Sequence, residues 1–405
     1  MTAAGEPVAA TLAAPLPGTG GAASPARWLG LDALRGLSLG LMSLVNNPGE
    51  WGAKYQYDVL RHAEWHGCTP TDLVFPTFLF CAGVAIVPAL QKKRASGAPR
   101  GPLALAIGKR ALWLVLLGLF VASFPLVTFE AGKDLFDRVW NVRFPGVLQR
   151  IGVCYALAAL LFLCTSARTQ TRVLLGCLFG HWALLTLAPV PGVGPQDLAG
   201  PMTTLQGWLD RAVFGDHIWV KGKYDPEGLL STLSAVATAL FGVHCGRVLA
   251  AGGAARDKAG DLLRLGAWWL LAGAVWSWFL PVNKPLWTPS YAVWTAGIAA
   301  SGLGLCVWLF EHRGFARLAH PLRVYGQNAL LVFVGSAIVA RTVSRLVTVT
   351  TDAGTVSLQK WFFTNCLLGP IGDPKLASLA FGLVWISGWY VVLAALYRRG
   401  IVWRV

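Results

Sequence analysis

The chain has 405 residues, of which 55% are hydrophobic and only 13% are charged. A soluble protein of this composition would expose large apolar patches, so we predict an integral membrane protein instead. The net charge of +15 does not indicate nucleic acid binding, because the basic residues fall between apolar segments, where membrane topology and anionic lipid account for them.

Residues 1–26 are rich in Ala, Gly, Pro and Thr, and we predict a disordered cytoplasmic tail there. Residues 27–405 are predicted to form one transmembrane domain. Its apolar stretches have the length that a helix needs to cross a membrane. They lie near 29–47, 72–91, 103–125, 146–165, 171–189, 229–250, 263–280, 290–310, 322–344 and 376–397. The predicted fold is therefore an all-α, polytopic helical bundle with ten spans.

Basic residues are unevenly distributed between the loops that connect these spans. The loops rich in Lys and Arg are 92–110, 166–172, 247–264 and 311–323, together with the C-terminal tail. Positive charge favours the cytoplasmic side, so the alternation predicts that both termini are cytoplasmic. The loops expected to share the outer side are 48–71, 126–145, 190–228, 281–289 and 345–375.

The first span contains the pair Asp32 and Arg35 in LGLDALRGLSLG, which lie on one helix face near the predicted cytoplasmic end. A pair that reaches the membrane interface is one interpretation. The other is a pair that faces the bundle, where Arg35 holds an anionic phosphate or fixes a helix contact. The sequence does not separate the two.

The densest group of ionisable and aromatic residues lies between the first two spans, from Asn46 to Gly83. Polar groups placed beside membrane segments are costly and typically functional. His62 is the sharpest candidate, because an imidazole serves as a nucleophile or a general base near neutral pH. The alternative is an interfacial histidine bonded to a backbone carbonyl.

Polar and aromatic residues recur on the other outer loops. The segments that carry them are RFPGVLQRIGVCY, with Gln149 and Arg150, YDPEGLLSTLS, with Asp225 and Glu227, and PVNKPLWTPSY, with Asn283 and Trp287. Acids after a turn also suit the start of a helix, and tryptophans also suit the membrane interface. Because these loops share one predicted side, they indicate a single cavity.

Several common catalytic signatures are absent from the sequence. It has no phosphate-binding Gly-Lys loop, no serine elbow and no HExxH motif, which argues against ATPases, common serine hydrolases and zincins. No CxxC or other metal-ligand spacing occurs. His66 follows His62 by four residues, but no third ligand stands at a recognisable spacing, so we expect no metal.

Six blocks follow one another along the chain: LDALRGLSLGLMSLVNNPGEW, LRHAEWHGCTPTDLVFPTFLF, RFPGVLQRIGVCY, YDPEGLLSTLSAVATALFGVHCG, PVNKPLWTPSY and VYGQNALLVF. This series resembles the membrane core of the heparan-α-glucosaminide N-acetyltransferase family and its bacterial relatives. The resemblance covers about residues 27 to 400. It implies transfer of an acetyl group from cytoplasmic acetyl-CoA to the amino group of a terminal glucosamine on the other side of the membrane.

The resemblance also implies site residues. The histidine implicated in the family lies in the block HAEW, so its role falls on His62, as an acetyl acceptor or as a general base. The asparagine that closes the first helix matches Asn46, whose amide suits a developing oxyanion. Residues expected to bind the acceptor are Asn47, Trp65, Asp72, Gln149, Arg150, Asp225, Glu227, Asn283 and Trp287. Among these, Asp72, Asp225 or Glu227 would orient the imidazole of His62 or bind the sugar ammonium. Cations placed to bind the donor at the cytoplasmic mouth are Arg35, Lys109, Arg110 and Arg247.

A different function remains open. The chain is similar to inner-membrane proteins of N-acetylglucosamine utilisation, for which transport of an amino sugar is the alternative. We see no internal repeat between the two halves, and many transporter folds have one, which favours the enzyme. We expect a multi-pass protein of the inner membrane whose partners are an amino sugar or glycan end and lipid, with a homodimer left open and no nucleic acid.

Overall fold

The computed structural model describes residues 28–128, 132–352 and 354–403, and these residues are mainly helical. The tail predicted over residues 1–26 lies outside the described residues. The α-helices are, in order, α1 (Leu29–Val45), α2 (Val74–Ala95), α3 (Arg100–Ser123), α4 (Asp137–Trp140), α5 (Val147–Cys164), α6 (Ala167–Thr186), α7 (Leu205–Phe214), α8 (Thr232–Ala250), α9 (Ala255–Ser277), α10 (Pro289–Cys306), α11 (Ala316–Gln327), α12 (Ala329–Arg341), α13 (Leu358–Phe362), α14 (Gly369–Ile371) and α15 (Pro374–Arg398).

Shorter elements join these helices. Single 3₁₀ turns span Asp58–Leu60, Pro70–Leu73 and Pro201–Thr203, and π-helical turns span Val307–His312, Thr342–Leu346 and Phe363–Leu368. Two strands, β1 (Thr348–Thr351) and β2 (Gly354–Ser357), pair antiparallel with Thr348 opposite Ser357. This hairpin is small, and the predicted all-α class is confirmed.

Helix starts carry the expected capping chemistry. The Thr288 hydroxyl accepts the Tyr291 N–H before α10, and the Asp373 carboxylate accepts the Leu376 N–H before α15. In both helices a proline occupies the first turn, where its missing N–H removes no helical hydrogen bond. Capping residues and a proline in the sequence therefore mark where α10 and α15 begin.

Each of the ten predicted spans is helical in the structure. Among the described residues, seven stretches are long and apolar enough to cross a membrane: Pro70–Ala95, Arg100–Ser123, Val147–Cys164, Thr232–Ala250, Pro289–His312, Ala329–Leu346 and Pro374–Arg398. Helices α1, α6 and α9 fall outside that set, since α1 has 17 residues and the N-terminal halves of α6 and α9 are rich in polar and charged residues. The polytopic membrane class is thus confirmed, and the number of spans and the side of the termini stay predictions.

The prediction of one continuous span over residues 322–344 is wrong. The helix is interrupted at Asn328 (φ −112°, ψ 41°), between α11 and α12. The Asn328 side chain is held by the C-terminal segment, because its amide donates to the Ile401 carbonyl at 3.2 Å and its oxygen accepts the Trp403 N–H at 2.8 Å. A contact with a residue more than seventy positions away cannot be read from the local apolar pattern.

Glycines set the closest helix contacts, as in many membrane bundles, where small residues let backbones approach. A Cβ atom built on Gly83 in α2 would lie 2.0 Å from the Ala239 carbonyl oxygen of α8. A Cβ atom on Gly242 of α8 would lie 2.1 Å from the Phe80 carbonyl oxygen of α2. The backbones of helices α2 and α8 are therefore in direct contact at the centre of the bundle.

The five loops predicted to share one side meet at one end of the bundle. The Gly67 N–H donates to the Val282 carbonyl at 2.8 Å, and the Gln206 amide donates to the Pro285 carbonyl at 2.8 Å. The remaining two loops join them through the pair of Arg143 with Asp225 and through the contact of Gln359 with Pro48. The sequence grouping of these loops therefore agrees with their packing.

We expect the substitution Gly83→Ala to destabilise the protein by about 1–3 kcal/mol, because its methyl group meets backbone that cannot move aside. The measurement is the thermal unfolding temperature in detergent. The matched control is Gly108→Ala in α3, where a Cβ atom meets nothing within 4 Å. Equal unfolding temperatures for the two variants would contradict the close α2–α8 contact.

Candidate functional site

The centre of the site is a histidine–aspartate pair at the loop end of the bundle. His62 Nδ1 lies 2.7 Å from Asp72 Oδ1. The His62 side chain is 52% exposed, whereas the Asp72 side chain is 1% exposed. A carboxylate that accepts the Nδ1–H leaves Nε2 as the nitrogen with the free lone pair. The reactive nitrogen therefore lies on His62, the exposed member of the pair.

The sequence TPTD explains how Asp72 is aimed. Thr69 caps the 3₁₀ turn Pro70–Leu73, Pro70 fits its first position, and Asp72 reaches back to the capping residue. Asp72 Oδ2 accepts the backbone N–H groups of Thr69 and Ala63, both at 3.0 Å. Because Oδ2 is taken by the backbone, Oδ1 is directed at His62.

The turn before α10 supplies a cation to this pair. Lys284 Nζ lies 3.2 Å from Asp72 Oδ1 and 3.0 Å from His62 Nδ1. Sequence analysis did not select Lys284 as a site residue. The sequence feature that could have identified Lys284 is its charge, since the other residues of this short segment are apolar or neutral.

Asn283 fastens the two loops that form the site. It is fully buried, its amide donates to the Trp65 carbonyl at 2.9 Å, and its side-chain oxygen accepts the Leu286 N–H at 2.7 Å. Trp65 is itself anchored, since its indole N–H donates to the Leu198 carbonyl at 2.6 Å. Asn283 was predicted as a substrate-binding residue, and the structure places it as the joint behind His62 instead.

Trp287 and Tyr291 form a buried aromatic floor under the pair. The Trp287 ring packs edge-on against Phe75 and Tyr291, with centroids 5.0 Å and 5.4 Å away. The Tyr291 hydroxyl donates to the Asp72 carbonyl at 2.6 Å, a contact that the sequence analysis missed. Trp287, predicted to bind substrate, is 1% exposed and so supports the site from behind.

Asp225 and Glu227, both predicted to bind the acceptor, are engaged elsewhere. Both carboxylates pair with Arg143, whose guanidinium also lies over the Trp219 ring. Asp225 also accepts the backbone N–H groups of Trp219 and Glu227, each at 2.8 Å. This cluster clamps the loop after α4 to the loop before α8, so neither carboxylate is available to His62.

Asp210 extends the clamp. Its carboxylate accepts the N–H groups of Asp225 and Leu229, each at 3.1 Å. Burial and the neighbouring Asp225 charge raise the pKa of Asp210 to about 6, although the backbone bonds oppose this rise. Arg143 shows the opposite balance, because burial would lower its pKa but the Glu227 and Asp225 charges raise it above its usual range. Asp210 therefore adds its negative charge to the clamp above about pH 6, where its carboxyl group is ionised.

Gln149 and Arg150 are buried beneath this clamp, in α5. The Arg150 guanidinium donates to the Gly228 carbonyl at 2.9 Å and to the Ser231 hydroxyl. It also lies 5.1 Å from the centre of the Trp287 ring. Both residues were predicted to bind substrate, and the structure places both inside the helix packing, one layer below the loops.

The asparagines that end α1 face different surroundings. Asn47 is buried, and its amide donates to the Ser43 carbonyl at 2.8 Å. Asn46 is exposed, and within the described residues its side chain makes no hydrogen bond. The structure therefore leaves the Asn46 amide free, and does not join it to His62.

A cavity of about 440 Å³ opens from the other end of the bundle. Its walls are mostly apolar and aromatic, and its charged lining residues are Asp32, Arg35 and Arg110. Arg35 pairs with Asp32 at 2.9 Å, and the Arg110 guanidinium lies over the Tyr155 ring at 4.9 Å. Asp32 and Arg35 thus lie together in the cavity wall, and the role of Arg35 in holding an anionic phosphate stays a prediction.

The other two predicted donor-binding cations lie outside this cavity. Lys109 is exposed on α3, one residue before Arg110. Arg247 bonds the Gln170 side chain and lies over the Phe162 ring at 5.6 Å. Sequence position alone did not distinguish the cations that line the cavity from those that stabilise nearby helices.

The cavity and the His62–Asp72 pair approach each other along α2. Phe78 lines the cavity and follows Asp72 by six residues, which corresponds to about 10 Å along the helix axis. Leu148, next to Gln149, lines the same wall. The bundle thus has an exposed imidazole at one end and, at the other, a mainly apolar cavity with Arg35 and Arg110 in its wall.

Comparisons with known proteins find one group of acetyltransferases. The family model described as "Heparan-alpha-glucosaminide N-acetyltransferase, catalytic" matches residues 27–192. The human heparan-alpha-glucosaminide N-acetyltransferase is 31% identical over 435 aligned positions, which cover 95% of this chain and 60% of the human protein. The mouse protein of the same name is 29% identical over 428 positions, which cover 93% of this chain and 60% of its own length.

These matches confirm the resemblance inferred from the sequence blocks. The aligned region extends well beyond residues 27–192 and includes both the His62 loop and the turn that carries Lys284. The chain spans about 60% of the length of these curated relatives.

We expect Asn283→Ala to loosen the His62 loop while the bundle remains folded, because a buried carbonyl and a buried N–H lose their partner. Hydrogen exchange over residues 62–68 should be about tenfold faster or more. The matched control is Asn141→Ala, since Asn141 is exposed and bonds Asp137 and Lys221. Unchanged exchange in this segment would show that Asn283 is not the joint.

Proposed function

From the similarity to heparan-α-glucosaminide N-acetyltransferases over nearly the whole chain, we propose that this protein is a membrane N-acetyltransferase. It takes the acetyl group of cytoplasmic acetyl-CoA and transfers it to the amino group of a glucosamine-type sugar at the outer side of the inner membrane. The observation that carries the proposal is the 2.7 Å contact between His62 Nδ1 and the buried Asp72 carboxylate, which leaves Nε2 free for chemistry.

Two schemes are compatible with this geometry, and both use the Nε2 lone pair. In the first, Nε2 attacks the thioester carbonyl, the C–S bond breaks and CoA leaves as a thiolate. The sugar amine then attacks the acetyl carbonyl, the bond between that carbon and Nε2 breaks, and the proton that the amine loses passes to the CoA thiolate or to water. In the second, the amine attacks the thioester directly, Nε2 accepts the proton that the amine loses, the C–S bond breaks and CoA leaves as a thiolate. Asp72 holds the ring in the same tautomer in both.

The cavity that contains Arg35 and Arg110 in its wall is the proposed route for the donor. These two residues would bind phosphate groups of CoA at its open end, since guanidinium groups pair well with phosphate. The apolar walls suit the pantetheine arm, which is long and flexible enough to extend toward His62. This arrangement explains why a cytoplasmic thioester and an outer amine need not share one solvent compartment.

The acceptor is proposed to bind over the exposed edge of His62. Trp65 is half-buried beside it and is held rigidly by its bond to Leu198. Glu64 is exposed on the same loop and offers a carboxylate to the sugar. The Asn46 amide, which has no partner among the described side chains, is the proposed donor to the oxyanion that forms on the acetyl carbonyl.

We expect His62→Ala to lose nearly all acetyl transfer, because no other group can supply the lone pair of Nε2. The measurement is release of free CoA by purified protein mixed with acetyl-CoA and glucosamine. His66→Ala is the matched control, being a histidine on the same loop whose Nδ1 lies 3.3 Å from the Asn283 amide nitrogen. No release by the wild type with any amino sugar, together with saturable N-acetylglucosamine uptake in proteoliposomes, would favour the transporter.

The same preparation separates the two schemes. Without an acceptor, the acetyl-histidine scheme gives one equivalent of CoA per protein and an acetyl group on the peptide that contains His62. The direct scheme gives neither until the amine is added.

We expect Asp72→Asn to lower the turnover number at least about a hundredfold. An asparagine whose oxygen keeps the two backbone N–H bonds turns its NH₂ toward His62 Nδ1. That donor forces the ring proton onto Nε2 and removes the lone pair. Asp58→Asn is the control, since Asp58 is on the same loop and its 84% exposed side chain bonds only Arg61. Similar rates for both variants would remove Asp72 from the mechanism.

A further inference from the structure

Lys284 lies against both members of the His62–Asp72 pair. Its Nζ atom is 3.0 Å from His62 Nδ1 and 3.5 Å from His62 Nε2, and it is 3.2 Å from Asp72 Oδ1. The Lys284 side chain is only 15% exposed. A largely enclosed ammonium group therefore lies beside an imidazole that is itself bonded to a carboxylate.

The three groups cannot all bond one another. When His62 Nδ1–H donates to Asp72, Nδ1 has no lone pair left for the lysine. Lys284 then donates to Asp72 at 3.2 Å, and its positive charge lies close to the imidazole, with Nζ 3.5 Å from Nε2. Asp72 alone favours a protonated ring, whereas the adjacent ammonium disfavours a second positive charge.

The other groups around His62 do not replace this balance. On its own loop, Arg61 bonds Asp58 at 3.4 Å and Glu64 is exposed to solvent. Cys68 is close to both Asp72 and Lys284, but burial and then the Asp72 charge raise its pKa to about 12, so the thiol is neutral at working pH. From the elements packed against the ring, the charges that face it are therefore Asp72, before α2, and Lys284, before α10.

The backbone around Lys284 is held on both sides. Asn283 bonds Trp65 on the His62 loop, and the Pro285 carbonyl accepts the buried Gln206 amide at 2.8 Å. The Trp287 N–H donates to the Lys284 carbonyl at 2.9 Å, which closes the turn. The fixed turn sets the position of the Lys284 backbone, and the 3.2 Å contact of Nζ with Asp72 Oδ1 then holds the ammonium group.

We propose that Lys284 is a positioning residue that keeps His62 neutral while Asp72 holds its Nδ1–H, so that Nε2 retains its lone pair. This inference rests on the proposed acetyl transfer only for the reason why a neutral ring is needed. The state of the ring can be measured without any transfer. Asp72 without Lys284 would orient the imidazole but also stabilise the protonated form, which can neither attack a thioester nor accept a proton.

The test measures the reactivity of His62 itself. Diethyl pyrocarbonate modifies neutral imidazole, and peptide mass spectrometry gives the modification rate at His62 from about pH 5 to about pH 8. Removing the ammonium by Lys284→Met should move the midpoint of this profile upward by about one pH unit. That shift is a roughly tenfold loss of reactivity on the acidic side.

Three controls make the result specific. Lys284→Arg keeps the charge and should keep a profile close to that of the wild type. His312, exposed at the other end of the bundle, is measured in the same digests and should not move. Lys284→Gln replaces the Met variant should that variant fail to fold, as judged from its thermal unfolding.

The outcomes are distinct. A His62 midpoint that stays the same, or moves downward, in the folded Met or Gln variant overturns the role of Lys284. An upward shift in a protein that releases no CoA with any amino sugar supports the lysine while the proposed function fails. In an active protein, the acidic limb of kcat/KM should shift upward with the modification profile.

Discussion

Asp72 is a charged side chain with almost no access to water, and the elements around it are arranged to stabilise that charge. Two backbone N–H groups, one imidazole and one ammonium surround its two oxygens. Burying a carboxylate without such partners would cost several kcal/mol. The loop after α1, the start of α2 and the turn before α10 therefore have to meet where they do, because each supplies part of this shell.

The loops around Asp72 have to be held in fixed positions, and this requirement explains the rest of the packing. Helices α2 and α8 touch backbone to backbone at Gly83 and Gly242, so the start of α2 is held in a fixed frame. The Arg143 cluster and the buried Asn283 then fasten the loops to one another. Few of these polar groups face solvent, and together they form a rigid cap on a bundle whose lower half contains the cavity.

The sequence predicted the features that depend on local pattern. Apolar length located the helical segments, although it did not show the break at Asn328. The resemblance identified His62, and Asp72 was one of three acids proposed to orient it. The charge alternation assigned five loops to one side, and these loops pack together at one end of the bundle.

What the sequence did not predict are pairings between distant segments. Asp225 and Glu227 appeared as available acids because Arg143, their partner, lies 82 and 84 residues away. Lys284 is 222 residues from His62, and Asn283 is 218 residues from Trp65. For the same reason Arg247 could not be told apart from Arg110, since only the packing shows which cation reaches the cavity.

The capping of Asp72 by Thr69 and Ala63 has a consequence for biogenesis. Every partner of the carboxylate except Lys284 lies within ten residues of it, so the start of α2 can settle at the membrane surface with its charge already hydrogen-bonded. The ammonium group joins only after several further helices have been synthesised and inserted. The nascent chain thus carries an oriented imidazole early, and its electrostatic environment is completed only when the turn before α10 docks.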